Sequence, residues 1–247
     1  STRVDTQEQI SYDSAHVLWT LTFGKSFIDR FTILSNVMEN MVEPDRQQLV
    51  NQIATEQTMR PHQYDPSGTF FLTLVGREQQ LKENNRVVPA NVLTAFAQVP
   101  RNIIRRTVSK NSDAPAEAFD ILADDDDYGI LMYVAAQKNT TTETLNKVYA
   151  NTTDGTVLER LARNRKSSPE LLTKLAQNDQ TYVLKAVAAN PVCPPEVLAK
   201  LSTNDSDDVR VAVAKNPSTP AEVLIALRQD KTHEVHTALT FNPNCPQ

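Results

Sequence analysis

Cysteine is nearly missing from this chain of 247 residues, which holds only Cys193 and Cys245. Two cysteines so placed build neither a disulfide framework nor a metal-ligand signature, and they predict a reduced, cytoplasmic setting. No apolar run approaches the length needed to cross a bilayer, which argues against a transmembrane helix. The amino end lacks the basic and apolar regions of a secretory signal, so none is expected. Glycine-rich nucleotide-binding motifs are absent too. Nor is positive charge in excess: the net charge is −5, which argues against a general nucleic-acid binder. Residues 1–84 carry 7 basic and 11 acidic groups, and residues 85–247 carry 18 and 19, so charge effects in the second region must come from arrangement.

The most informative deficit is glycine, with five residues against fourteen prolines. Helices commonly end on glycine, so a helical chain that rarely uses it closes its helices another way. The segments VRVAVAKNPSTPAEVLIAL, LKAVAANPVCPPEVLAKL and LERLARNRKSSPELLTKL align without gaps. Their asparagines belong to a series: Asn85, Asn111, Asn139, Asn164, Asn190, Asn216 and Asn242. Six complete units of 25–28 residues result, with a seventh begun at Asn242. Eight and eleven residues after the asparagine come apolar pairs such as Leu198 with Leu201 and Leu224 with Leu227. Seven and three before it come pairs such as Met132 with Ala136 and Val209 with Val213. Offsets of three and four mark one face of a helix, so each unit holds two short amphipathic helices. Neither helix buries its face alone; stacked neighbours share one core. The prediction is an all-α fold, with an α-solenoid over 85–247 and a small helical capping region over 1–84.

Each recurring position carries its own expectation. The asparagine is expected in the left-handed conformation at the helix end, with the next proline stopping the helix. An asparagine ladder gripping a peptide backbone is the functional alternative. Thr219 with Pro220 and Glu222, Ser168 with Pro169 and Glu170, and Thr140 with Glu143 read as capping boxes. The recurring Glu117, Glu143, Glu170, Glu196 and Glu222 read as capping residues rather than catalytic carboxylates. Immediately before the asparagine stand Lys110, Lys138, Arg163 and Lys215, which complement the helix dipole and form a candidate basic ladder. Six before it stand Arg105, Tyr133, Arg210 and His236, on a face expected to be free of the core stripe. These eight residues are the candidate partner-binding set. Asp124 to Asp127 read as a solvated loop lacking the EF-hand pattern. Cys193 and Cys245 lie two repeats apart, too far to pair within one molecule.

The slots of VRVAVAKNPSTPAEVLIAL above all resemble the leucine-rich repeat variant family, a bacterial relative in style of the HEAT-like solenoids. The resemblance covers residues 85–247 and is strongest from Leu158 onward. It implies short α and 3₁₀ helices alternating in a right-handed superhelix, with no reaction and a role as an interaction scaffold. A founding member binds an iron–sulfur centre through an amino-terminal cysteine cluster. Residues 1–192 contain no cysteine here, so that cofactor is not carried over.

Within 1–84, Ser26 to Val42 places Phe27, Phe31, Leu34, Val37, Met38 and Met41 on one helical face. Pro44 opens a second predicted helix, with Leu49, Val50, Ile53 and Ala54 inward. Trp19, Phe23 and Phe27 suggest an aromatic cluster. Met59 to Gly68 is a predicted loop, in which His62 and Asp65 have no nucleophile to serve, and Thr69 to Val75 is a candidate strand. The functional expectation is a non-enzymatic scaffold for another protein, without catalytic, cofactor or metal residues and without a membrane. A nucleic-acid binder using the basic ladder is the alternative. Self-association or partner binding is expected through an apolar carboxy-terminal surface around Leu227, Val235 and Leu239.

Overall fold

The computed structural model describes residues 36–56 and 88–246, and every regular element of any length among them is a helix. The chain packs as two compact units, Ser1–Leu122 and Ala123–Gln247. The first holds α1 (Asp45–Glu56), α2 (Ala90–Ala97), α3 (Asn102–Lys110) and α4 (Ala116–Leu122). Helix α2 is apolar nearly all round, and Val92, Leu93, Ala95, Phe96 and Ala97 are buried. A helix of that kind belongs in the middle of a core, and α1, α3 and α4 all pack against it. Helix α1 begins after Pro44 as predicted and buries Leu49 and Val50. The described part of the predicted Ser26–Val42 helix is helical over 36–39 and ends there, although Met41 beyond it is still buried. Arg46 closes that end: its guanidinium donates to the Met38 and Met41 carbonyls and pairs with Glu43. The aromatic cluster, the 59–68 loop with His62 and Asp65, the 69–75 strand, Asn85 and the predicted 84/85 boundary lie outside the described residues.

The second unit holds α5 (Tyr128–Ala136), α6 (Thr142–Ala150), α7 (Gly155–Arg163), α8 (Pro169–Leu175), α9 (Thr181–Ala189), α10 (Pro195–Leu201), α11 (Asp207–Lys215), α12 (Ala221–Leu227) and α13 (His233–Thr240). The odd-numbered helices stack in succession, α5 on α7, α7 on α9, α9 on α11 and α11 on α13. Helices α6, α8 and α10 each pack on the odd-numbered helix before and after. The result is a stack of two-helix repeats, as the periodicity requires. Leu198, Leu201, Leu224 and Leu227 lie between the layers, all buried. Glu143, Glu170, Glu196 and Glu222 sit in the first turns of α6, α8, α10 and α12, where the helix dipole favours a negative charge. Glu117 does the same in α4.

The asparagines serve a different purpose from the one expected. Asn164, Asn190 and Asn216 have φ of −72°, −74° and −72° with ψ near 126°, an extended conformation open to any residue. Their side chains select them. Asn216 Nδ2 donates to the carbonyls of Ala188 at 2.6 Å and Asn190 at 2.8 Å, both in the preceding repeat. Its Oδ1 accepts from the Ser218 N–H at 2.8 Å. Asn164, Asn190 and Asn242 make the same three bonds with their own neighbours. An amide carries two donors and an acceptor on one planar group, which is what two inward carbonyls and one turn N–H require. From Asn164 onward the ladder thus joins each repeat to the one before it, and its donors are not offered to a foreign backbone.

The hydrogen bonds also correct the frame. Asn164 donates to Gln137, not to Asn139, so Gln137 occupies the asparagine position of that repeat. The core pair is accordingly Ile130 and Val134, both fully buried, whereas Met132 is half-buried and Ala136 exposed. Three residues after the ladder position a hydroxyl turns inward: Thr140, Ser167 and Thr219 donate to the Val134, Leu161 and Val213 carbonyls at 2.6–2.8 Å. Thr140 and Thr219 are therefore not helix caps. Thr141 caps α6 instead, and α12 begins behind Pro220 without a side-chain cap. Ser168 does cap α8, accepting from Leu171 N, and with the Glu170 backbone N–H its hydroxyl holds the exposed Glu170 carboxyl below the usual range.

Candidate interaction surface

The residues six before each ladder position do not form an open face. Leu131, which takes this place in the corrected frame, Leu158 and Leu184 are buried, and Arg210 is only 8% exposed. All five guanidinium N–H groups of Arg210 find acceptors inside the chain. Nε and Nη2 hold the Asp230 carboxylate at 2.7 and 3.2 Å, Nη2 also reaches Thr232, and Nη1 donates to the Asn204 and Asp205 carbonyls. Hydrogen bonds from Arg210 hold Asp230 far below the ordinary carboxylate range, at about 2. Arg105, in the first unit, clamps the Val99 and Pro100 carbonyls from the equivalent place. Tyr133 is half-buried on α5, and His236 is exposed on α13. Arginine at this position therefore locks the loop that precedes its helix.

The row just before the ladder is open to solvent. In the second unit it reads Ala136, Arg163, Ala189, Lys215 and Phe241, all exposed. Lys138 lies off it, exposed in the turn after α5, and Lys110 ends α3 of the first unit. The row therefore presents two cations flanking an alanine. That gap opens into a cleft of about 310 Å³ across α7, α9 and α11. Its floor is Ala186, Ala189, Val211 and Ala212, and its rims are Arg163, Lys185 and Lys215 with Asp208. Lys185 Nζ pairs with Asp208 across the α9–α11 seam at 2.9 Å. Arg163 pairs with Glu159 one turn back at 2.8 Å. Lys215 has no ion pair among the described residues. Sequence reasoning missed Lys185 and Asp208, which belong to no recurring motif.

Residues 183–243 match the family model of the Leucine Rich Repeat Variant domain. This segment is similar to the leucine-rich repeat variant domain. The match spans α10 to α13 and most of α9, so it carries Lys185, Ala189, Asp208 and Lys215 of the cleft. The ladder amides of Asn190, Asn216 and Asn242 lie within it and the resemblance read from VRVAVAKNPSTPAEVLIAL is borne out there. No curated protein and no solved structure compared with the chain matches it.

Other candidate features resolve into local structure. Asp127 caps α5 through the Gly129 and Ile130 N–H groups, Asp125 accepts from Asp127 N, and Asp124 pairs with Lys147 at 2.8 Å. Among the described residues no group of three His, Cys, Asp or Glu side chains is arranged to hold a metal. Among the same residues no helix is long and apolar enough to cross a membrane. At the carboxy-terminal end Leu227, Val235 and Leu239 are buried, at 4%, 0% and 5% exposure, so these three side chains themselves are not offered to a partner. Phe241, 81% exposed, and Ile225 are the large apolar side chains that do face solvent near it.

Proposed function

We propose that the second unit is a non-enzymatic scaffold that binds another protein on the outer face of its stacked odd-numbered helices, around the cleft between Arg163 and Lys215. The carrying observation is a division of labour in the polar groups. The ladder amides and Arg210 are committed to holding repeats together, whereas Lys215 and Ala189 are left exposed. In a repeat stack the frame is constant and the open face varies, which is how such modules present a binding surface. The repeat family supports the same reading. The two free thiols suit a reducing, cytoplasmic setting. Nucleic acid is the poorer fit, because Glu159 and Asp208 interrupt the cations and would oppose a continuous phosphate backbone.

Full-length protein used as bait in native-host lysate tests this. Ala189→Arg fills the cleft, and Ala199→Arg places the same side chain on an exposed site of α10. Partner capture is expected to be lost with Ala189→Arg and kept with Ala199→Arg. Equal capture by both variants would contradict the assignment.

A further inference from the structure

We infer that the cleft takes an acidic linear segment of its partner protein, with carboxylates seated at Lys215 and Arg163 and small apolar side chains laid on the alanine floor. The inference rests on the proposed scaffold function and names the chemistry of its partner. Three cations and one carboxylate line the cleft, and with Glu159 beside Arg163 counted as well a single positive charge remains, so its field still favours an anion. Lys215 has no counter-ion among the described residues, and Arg163 holds its own in a solvent-exposed pair that contributes little and is easily exchanged for a partner's carboxylate. The floor, by contrast, is open at Ala189 and the half-buried Val211, with Ala186 and Ala212 buried beneath them. These are too small to stack a base and suited to methyl-sized contacts. Discrete carboxylates on a peptide avoid Asp208, whereas evenly spaced phosphates do not.

Geometry adds a spacing rule. Arg163 and Lys215 occupy the same position two repeats apart, and helix layers stand ~8–10 Å from one another, which sets the two cations ~16–20 Å apart. An extended peptide advances ~3.3 Å per residue, so its two carboxylates belong about five or six residues apart.

Fluorescence anisotropy with the full chain and synthetic labelled peptides tests both parts. One peptide carries two glutamates six residues apart in an Ala/Val background, a second carries them adjacent, and a third replaces them with lysines. Oligo(U) serves as the nucleic-acid probe. The widely spaced acidic peptide is expected to bind best, with affinity that falls as salt rises. Lys215→Gln is expected to weaken it about three- to fivefold, the loss of one exposed ion pair, and Lys215→Arg to preserve it. Failure of the acidic peptide to bind, equal binding to Lys215→Gln, no preference for the wide spacing, or tighter binding of oligo(U) would each overturn the inference. If the lysine peptide binds instead and Ala189→Arg abolishes that binding, the scaffold reading stands and only the acidic partner falls. If partner capture is also indifferent to Ala189→Arg, the site itself is refuted.

Discussion

Replacing Asn216 with glycine separates two accounts of why asparagine recurs. Were it chosen for a left-handed backbone, glycine would serve as well or better. Its φ of −72° removes that reason. Glycine would instead delete two donated hydrogen bonds to Ala188 and Asn190 and one accepted from Ser218, at a side chain that is 2% exposed. Each such bond contributes about 1 kcal/mol net. Leaving the Ala188 carbonyl unpaired raises that cost, while the Asn190 carbonyl keeps the Cys193 N–H, and glycine's extra unfolded-state freedom adds about 0.5–1 kcal/mol. The expected loss is thus about 3–5 kcal/mol for Asn216→Gly and slightly less for Asn216→Ala. Asn216→Asp keeps size and acceptor but turns an oxygen toward two carbonyls, so it should be no better than alanine. Urea titration followed by far-ultraviolet circular dichroism reads the change as a lowered midpoint. A glycine variant as stable as wild type would refute the ladder.

Two further outcomes follow from buried groups. Asp230 has a folded pKa of about 2, depressed below its ordinary value, so the stability it contributes is complete above about pH 4 and disappears as pH falls from about 4 to 2. That contribution is on the order of 2 kcal/mol, and chemical melts should show a smaller acid loss across this window for Asp230→Asn than for wild type. Burial pushes the Cys193 thiol up to about 12, so native protein at pH 8 should show one fast-reacting thiol, Cys245, and two after unfolding in a thiol-reagent titration.

Periodicity carried the fold, because burial repeats with the chain: apolar residues at offsets of three and four needed no partner to be recognised. Matching letters rather than roles misplaced one repeat. Asn139 shares its identity with the other ladder residues, but Gln137 holds their place in the backbone pattern. A cue was present in Thr140, which follows Gln137 by three residues as Thr219 follows Asn216. The same spacing distinguishes Ser168 from Thr219. In the first case proline is the first residue of the helix, and in the second it precedes the helix, so the hydroxyl turns inward. Arg210 was visible as a recurring-position residue, but its five acceptors come from loops whose approach depends on tertiary packing. The cleft was half legible: Arg163, Ala189 and Lys215 stand in one sequence row. Lys185 and Asp208 meet only because α9 and α11 are stacked.

The most direct test of the scaffold assignment is site-specific photo-cross-linking in the native host. A benzophenone amino acid placed at Lys215, on the rim of the cleft, should form a discrete adduct with another protein. The same probe at Lys200, exposed on α10, should form none. Adducts at Lys200 alone, or a cross-link from Lys215 to nucleic acid in place of protein, would contradict the account.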